Sequence, residues 1–242
     1  IWGAQLEQQS YATSYIPTQG AVSTRLRDIA TNSSNASLIN SEEGTFYAEI
    51  SALADDGLKR SISINDGSSS NRFILRFGIN NNTIEVVSVS NNAAVLLSSV
   101  TVSNTLISSK VAVKWDSNNY VLYVNGIIET SINNLITPLV LNNLDFNDGN
   151  SGLNPFYGKT KAIAVYKTAL TDASLRSLTY PPAVATTFDL DFNTIADDFT
   201  FTRGSEATFV NAQGLIQSTA SNNAPRLDYS TGSEAFLLEP QS

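Results

Sequence analysis

The chain has 242 residues, 42% hydrophobic and 15% charged, which is too apolar for a disordered tail and lacks an apolar run long enough to cross a bilayer, so a soluble globular protein of one or two domains is expected. It contains no cysteine, histidine or methionine, which excludes disulfides, thiolate chemistry, histidine acid–base or triad catalysis, and the usual zinc, copper and haem sites. A net charge of −8 opposes nucleic acid and anionic lipid surfaces, so neither nucleic-acid binding nor membrane insertion is expected, and neutral ligands, glycans and proteins remain as partners.

The chain opens at Ile1 without methionine, so it is expected to be a piece of a longer product. Ser, Asn and Thr make up about a third of it, and Asn pairs recur at Asn81-Asn82, Asn91-Asn92, Asn118-Asn119, Asn133-Asn134, Asn142-Asn143 and Asn222-Asn223. Asn tolerates the left-handed backbone and caps its own chain, so these pairs between β-branched runs mark successive turns of an all-β fold. Strands are predicted over 45–53, 60–65, 72–78, 83–88, 95–100, 110–115 and 120–129, enough for a sandwich. Val111, Val113 and Trp115 alternate with Ala112 and Lys114, and after a turn at 117–119 Tyr120, Leu122 and Val124 take the alternate positions. That parity places Trp115 and Tyr120 in the core and points Tyr123 outward.

Further strands are predicted over 141–146 and 155–166, separated by the loop 147–152. Thr171 followed by Asp172, Ala173, Leu175 and Leu178 reads as a capped short helix, which Pro181-Pro182 stops. Beyond it, Phe188-Asp-Leu-Asp-Phe192 and Phe199-Thr-Phe201 alternate apolar with polar residues but are too small to bury a core alone.

The stretch GKTKAIAVYKTALTDASLRSLT, from Gly158 to Thr179, resembles the closing signature of laminin-G-like, concanavalin A-type lectin/glucanase domains, and Leu122-Tyr-Val-Asn-Gly126 is similar to their internal hairpin strand. The resemblance implies an antiparallel two-sheet jelly-roll sandwich at 20–182, an architecture that hosts lectins, hydrolases and inert spacers alike. Residues 2–18 resemble the exit strand of carbohydrate-binding-module-like sandwiches of modular phage proteins, giving a first unit at 1–19. Residues 201–242 are similar to a segment of phage tail-fibre and head-spike proteins, giving a hairpin-rich start of a following module at 183–242. These terminal resemblances imply a segment on the exterior of a virion, on capsid or tail, beside other virion proteins.

A glycosidase needs two carboxylates about 5 to 9.5 Å apart across a cleft. Glu42-Glu43, Asp55-Asp56 and Asp197-Asp198 are adjacent, so on strands their members face opposite sides, and no stretch repeats the Glu-rich strand of the glucanase relatives. No catalytic residue is expected. Laminin-G-like folds often hold calcium, and Asp145, Asp148 and Asn150 around Gly149 offer oxygens for it, although Asp-Gly sequences are turn formers first. Apart from that possible calcium, no cofactor is expected.

For a glycan, which pairs an apolar face with a hydroxyl rim, the expected platform is Tyr123 with Asn125, Tyr157 and Tyr166. Phe188, Phe192, Phe199, Phe201, Phe209 and Leu215 are expected to pack against neighbouring chains, with a homotrimer favoured, or against the sandwich, with Arg203 and Glu206 as the charged pair at that junction. Together these readings predict an adhesive, non-catalytic virion segment that engages host surface glycans. A purely architectural spacer is the alternative, and a depolymerase component a more distant one.

Overall fold

A computed structural model describes residues 5–18, 20–31, 33–116, 119–132, 140–149, 152–180, 200–219, 226–230 and 235–237. Among the described residues ten strands precede the long strand β11: β1 (Ile29–Thr31), β2 (Glu43–Ala52), β3 (Arg60–Asn65), β4 (Arg72–Phe77), β5 (Thr83–Ser90), β6 (Ala93–Thr101), β7 (Ser109–Asp116), β8 (Asn119–Val124), β9 (Ile127–Ile132) and β10 (Asn143–Asp145). Strand β11 (Gly158–Tyr166) and helix α1 (Asp172–Thr179) follow, and then the short strands β12 (Thr200–Thr202), β13 (Thr208–Val210), β14 (Ile216–Ser218), β15 (Leu227–Asp228) and β16 (Ala235–Leu237). The fold is an antiparallel jelly-roll sandwich of a five-stranded sheet, ordered β10-β3-β4-β5-β6, and a seven-stranded sheet, ordered β15-β16-β11-β2-β7-β8-β9.

The core follows from alternation. Ile62 and Ile64 of β3, Phe73, Leu75 and Phe77 of β4, and Ile84 and Val86 of β5 face Ala48, Val111, Val113, Trp115, Tyr120 and Leu122 of the opposite sheet. Trp115 and Tyr120 are both fully buried, as their parity requires. The indole stacks obliquely on Phe73 at 5.2 Å and its N–H donates to the Asn40 carbonyl at 3.3 Å. Gly44 lies directly opposite Trp115, and a Cβ there would sit 2.3 Å from the indole, so only glycine leaves the ring its place.

The strand expected over 120–129 is instead two strands, because Asn125 and Gly126 both take positive φ, 49° and 83°, and close a tight hairpin between β8 and β9. An Asn-Gly pair supplies what such a turn requires. Helix α1 forms where its cap predicts: the Thr171 hydroxyl accepts from the Ser174 N–H at 3.2 Å. It packs on the outer face of the seven-stranded sheet, where Leu175 covers Tyr47, Ala112, Val121, Tyr123 and Ala164.

The terminal segments are stitched to the sandwich and to each other. β1 pairs with β12, and β16 pairs with both β11 and β15, so chain from beyond residue 200 extends the seven-stranded sheet. Between them lies a buried polar cluster. The Asp28 carboxylate, with no exposed side-chain surface, meets the guanidinium of Arg226 and lies 3.9 Å from that of Arg203, both equally buried. Arg226 also donates to the Ser14 hydroxyl at 2.5 Å, and Arg203 to the Thr219 hydroxyl at 2.9 Å and the Ser205 carbonyl at 2.6 Å.

Candidate functional site

The expected glycan platform does not assemble. Tyr123 does point away from the core, but that face lies under α1, and the residue is only 2% exposed beneath Leu175. Tyr166 packs at the margin of the same cluster, and burial raises its phenol pKa. Asn125 serves the turn: its side-chain carbonyl accepts from the Lys110 N–H at 2.9 Å, and its own N–H donates to the Lys110 carbonyl at 2.9 Å. Tyr157 lies apart, in the loop before β11, with its phenol pKa raised by burial against the opposing effect of Arg27. What escaped the parity argument is an amphipathic helix that closes over an outward face.

The oxygens expected to hold calcium are engaged within the protein. Asp145 accepts from the Asn65 amide at 2.8 Å. Asp148 accepts from the Asn154 amide at 3.1 Å and stands 3.8 Å from the Arg72 guanidinium, which also donates to the Asp148 carbonyl at 2.6 Å. Asn150 lies outside the described residues. Among the described residues no three acidic side chains converge, and the Arg72 guanidinium faces Asp148.

At the junction of the tail, Phe188, Phe192 and Phe199 lie outside the described residues, and Phe201 sits on β12 opposite Ala30. Arg203 takes Asp28, 175 positions away in the chain, as its acidic neighbour instead of the expected local partner, while Glu206 stays exposed. Phe209 is half-buried and Leu215 stands exposed on the turn between β13 and β14.

A cleft of about 280 Å³ opens where the N-terminal segment, β11 and the β13–β14 hairpin meet. Tyr15, Phe209 and Ile216 contribute apolar surface to it, and Lys159, Asp228 and Ser230 contribute charge and hydroxyl. The Lys159 ammonium donates to Asp228 at 3.0 Å and to the Ser230 hydroxyl at 2.8 Å, and the Val210 N–H donates to the second carboxylate oxygen of Asp228 at 3.3 Å. Burial would raise the Asp228 pKa, but the hydrogen bonds from Ser230 and Lys159, the Lys159 charge and the Val210 N–H outweigh it and hold the carboxyl below its ordinary value. The group is therefore an anion at neutral pH, paired with a cation, at the side of an aromatic and aliphatic wall.

None of these residues was singled out from the sequence except Phe209. Their positions span the N-terminal segment, the last sandwich strand and the tail, so no local spacing announces the cleft.

The family model Laminin_G_3, of the concanavalin A-like lectin/glucanases superfamily, matches residues 27–176. No curated protein matches the chain. Among solved structures, the CBM40 module of the Ruminococcus gnavus IT-sialidase bound to α2,3-sialyllactose aligns with a TM-score of 0.51 at 16% identity, over 65% of this chain and 97% of that one. The native heptameric SAP-like pentraxin of Limulus polyphemus aligns with a TM-score of 0.54 at 12% identity, over 87% of this chain and 95% of that one. At such identities the likeness is one of fold, and it coincides with the two-sheet sandwich described above. With more than half of its residues matched by the family model, the chain belongs to the concanavalin A-like lectin/glucanases superfamily.

Proposed function

We propose that this chain is a non-catalytic glycan-binding segment of a bacteriophage virion fibre or spike, displayed on the particle exterior and contacting bacterial surface saccharide. The observation that carries the glycan reading is the cleft beside Lys159 and Asp228, where an apolar wall adjoins fixed donors and acceptors. A sugar ring presents an apolar face and a rim of hydroxyls, which match the Tyr15 and Phe209 side and the Lys159, Asp228 and Ser230 side respectively. Because the ammonium and carboxylate offset each other, the complementary ligand is a neutral saccharide. The fold supports a saccharide ligand in general, since the R. gnavus CBM40 module of like fold is bound to sialyllactose, itself an anionic sugar. The virion setting rests on the resemblance of residues 2–18 and 201–242 to phage fibre segments. A weak single site of this size gains strength from copies in an oligomer.

The test is titration of the purified chain against isolated bacterial surface polysaccharides while polymer length is followed. Saturable binding at unchanged length, weakened about tenfold or more by Phe209→Ala in a variant that still melts cooperatively, is the expected result. Shortening of the polymer would replace this reading with a depolymerase. Absence of binding across the panel would leave an architectural spacer.

A further inference from the structure

Backbone held in a sparsely populated conformation persists only where its surroundings over-determine it, and such positions gather at functional sites. Asn154 is one. It takes a positive φ of 49° although Pro155 follows it, and a residue before proline is ordinarily confined to the extended region. Contacts before and after it hold it there. The Asp148 N–H donates to the Leu153 carbonyl at 3.1 Å, and the Phe156 N–H donates to the Phe146 carbonyl at 2.8 Å. The buried Phe156 ring stacks on Phe77 at 5.9 Å, which anchors this loop to the core.

Around the peptide bond that joins Asn154 to Pro155 stand the groups needed to cut it from within. The Asn154 side-chain amide donates to the Asp148 carboxylate at 3.1 Å, so a proton acceptor touches its nitrogen. Asp148 is itself fixed, because the Arg72 guanidinium donates to its backbone carbonyl at 2.6 Å. The Asn154 carbonyl oxygen accepts from the Ser61 N–H at 3.0 Å. The hydroxyl of Ser61, a fully buried residue, has no hydrogen-bond partner. A buried hydroxyl in that state is costly, and one beside a reacting carbonyl has a use in the charge that develops there. Proline completes the set. It has no N–H with which to attack the Asn154 side chain, so the ordinary route of asparagine deamidation is closed.

We propose that the chain cleaves itself between Asn154 and Pro155. The side-chain nitrogen, Nδ2, attacks the carbonyl carbon of its own residue and closes a five-membered cyclic imide. As the new bond forms, Asp148 takes the Nδ2 proton, and the carbonyl oxygen gains negative charge beside the Ser61 N–H and hydroxyl. The bond from the carbonyl carbon to the Pro155 nitrogen then breaks, and the proton passes from Asp148 to that departing nitrogen. One product ends at residue 154 in the imide and the other begins at residue 155 with a secondary amine. No water and no co-reactant enters, and each chain reacts once. Opening the bond also releases the backbone of Asn154 from its left-handed conformation. The pieces stay assembled, since β10 remains paired with β3 and β11 with β2. The reaction is independent of the saccharide cleft, whose Lys159 and Asp228 remain on one piece.

The test follows the intact chain by mass spectrometry through a long incubation at neutral pH. Two fragments meeting between Asn154 and Pro155 are expected, with masses that sum to that of the parent because cyclisation adds no water. Asn154→Gly keeps a residue suited to the left-handed backbone and is expected to abolish cleavage. Asp148→Asn and Ser61→Ala are each expected to slow it about a hundredfold. In Ser61→Ala the melting temperature should stay at the parental value, since the hydroxyl has no hydrogen bond to lose. In Pro155→Ala the new N–H should turn the reaction from chain cleavage to deamidation of Asn154. A parent that stays uncut, first-formed fragments that together outweigh the parent by a water, or cleavage that survives Asn154→Gly would each overturn the proposal.

Discussion

The sandwich and the terminal segments solve the same problem with opposite chemistry. Inside the sandwich, Ile62, Ile64, Phe73, Leu75, Trp115 and Leu122 remove apolar surface from water between the two sheets. Among the described residues of the termini the fully buried large side chains are arginines, Arg25, Arg203 and Arg226, the last two beside the Asp28 carboxylate. The first arrangement gains stability in proportion to area buried, about 25 cal/mol per Å², and is indifferent to pH. The second depends on partners, because desolvating a charge is tolerable only when its complement is in place. Segments of two or three residues per strand bury little apolar area, so directional contacts hold them instead.

Breaking each region should separate the two. Trp115→Ala, which empties the space between Gly44 and Phe73, is expected to cost about 3–5 kcal/mol and lower the main melting transition. Asp28→Asn strips the buried arginines of a carboxylate, at a comparable local cost of about 3 kcal/mol or more. Its signature differs: limited proteolysis should cut the tail while residues 43–180 stay resistant and the main transition moves little. A single global transition lowered equally by both variants would show that the regions unfold as one.

Tyr123→Ala sharpens the contrast from the other side. An exposed tyrosine could be lost at almost no cost, but beneath Leu175 its removal should destabilise the sandwich by about 2–4 kcal/mol, readable by chemical denaturation. Thr171→Ala removes the cap of α1 and is expected to cost about 1 kcal/mol in the same assay.

Acid should act on the termini first. Asp56, whose pKa is lowered by the hydrogen bond from Arg60 against the effect of burial, also accepts from Ser10, and Asp228 is lowered through Ser230 and Lys159. A carboxyl whose folded pKa lies below its unfolded value contributes stability that is whole above the unfolded value, near 4, and is lost as pH falls through the folded one. Proteolytic release of the terminal segments below about pH 4, with the sandwich signal retained, is the expected order. The smallest effect is the last: chelation with EDTA should leave the melting temperature where it was, since Arg72 and Asn154 already serve Asp148.

Legibility in the sequence followed the same division. Strand β3 and the core side of β7 and β8 could be read from alternation, because burial on one face writes a period of two into the residues. The Asn125-Gly126 turn was hidden inside an apparently continuous run, although its residue types suit positive φ. The cover over Tyr123 arises from the docking of α1, which no strand pattern encodes. Arg203 could be read as a junction charge, yet its acidic neighbour is Asp28, far along the chain, and not Glu206 three residues away. Pairings of that kind, like the cleft that joins Tyr15 to Lys159 and Asp228, exist only once the chain has closed on itself.

That closure has a mechanical meaning. Strands β2 to β11 all lie within the loop sealed by β1 against β12 and by Asp28 against Arg203 and Arg226. Tension applied at the two ends therefore meets this seal together with the pairing of β16 on β11, and strands β2 to β10 bear it only after both part. Because β1 and β12 run antiparallel with Ile29 opposite Thr202, the load peels their bonds one after another, starting beside the ion cluster. In single-molecule stretching, a short, low-force yielding event is expected before the sandwich lengthens, and Asp28→Asn should erase it; a trace whose first event is already full extension of the sandwich would show that the seal bears no load.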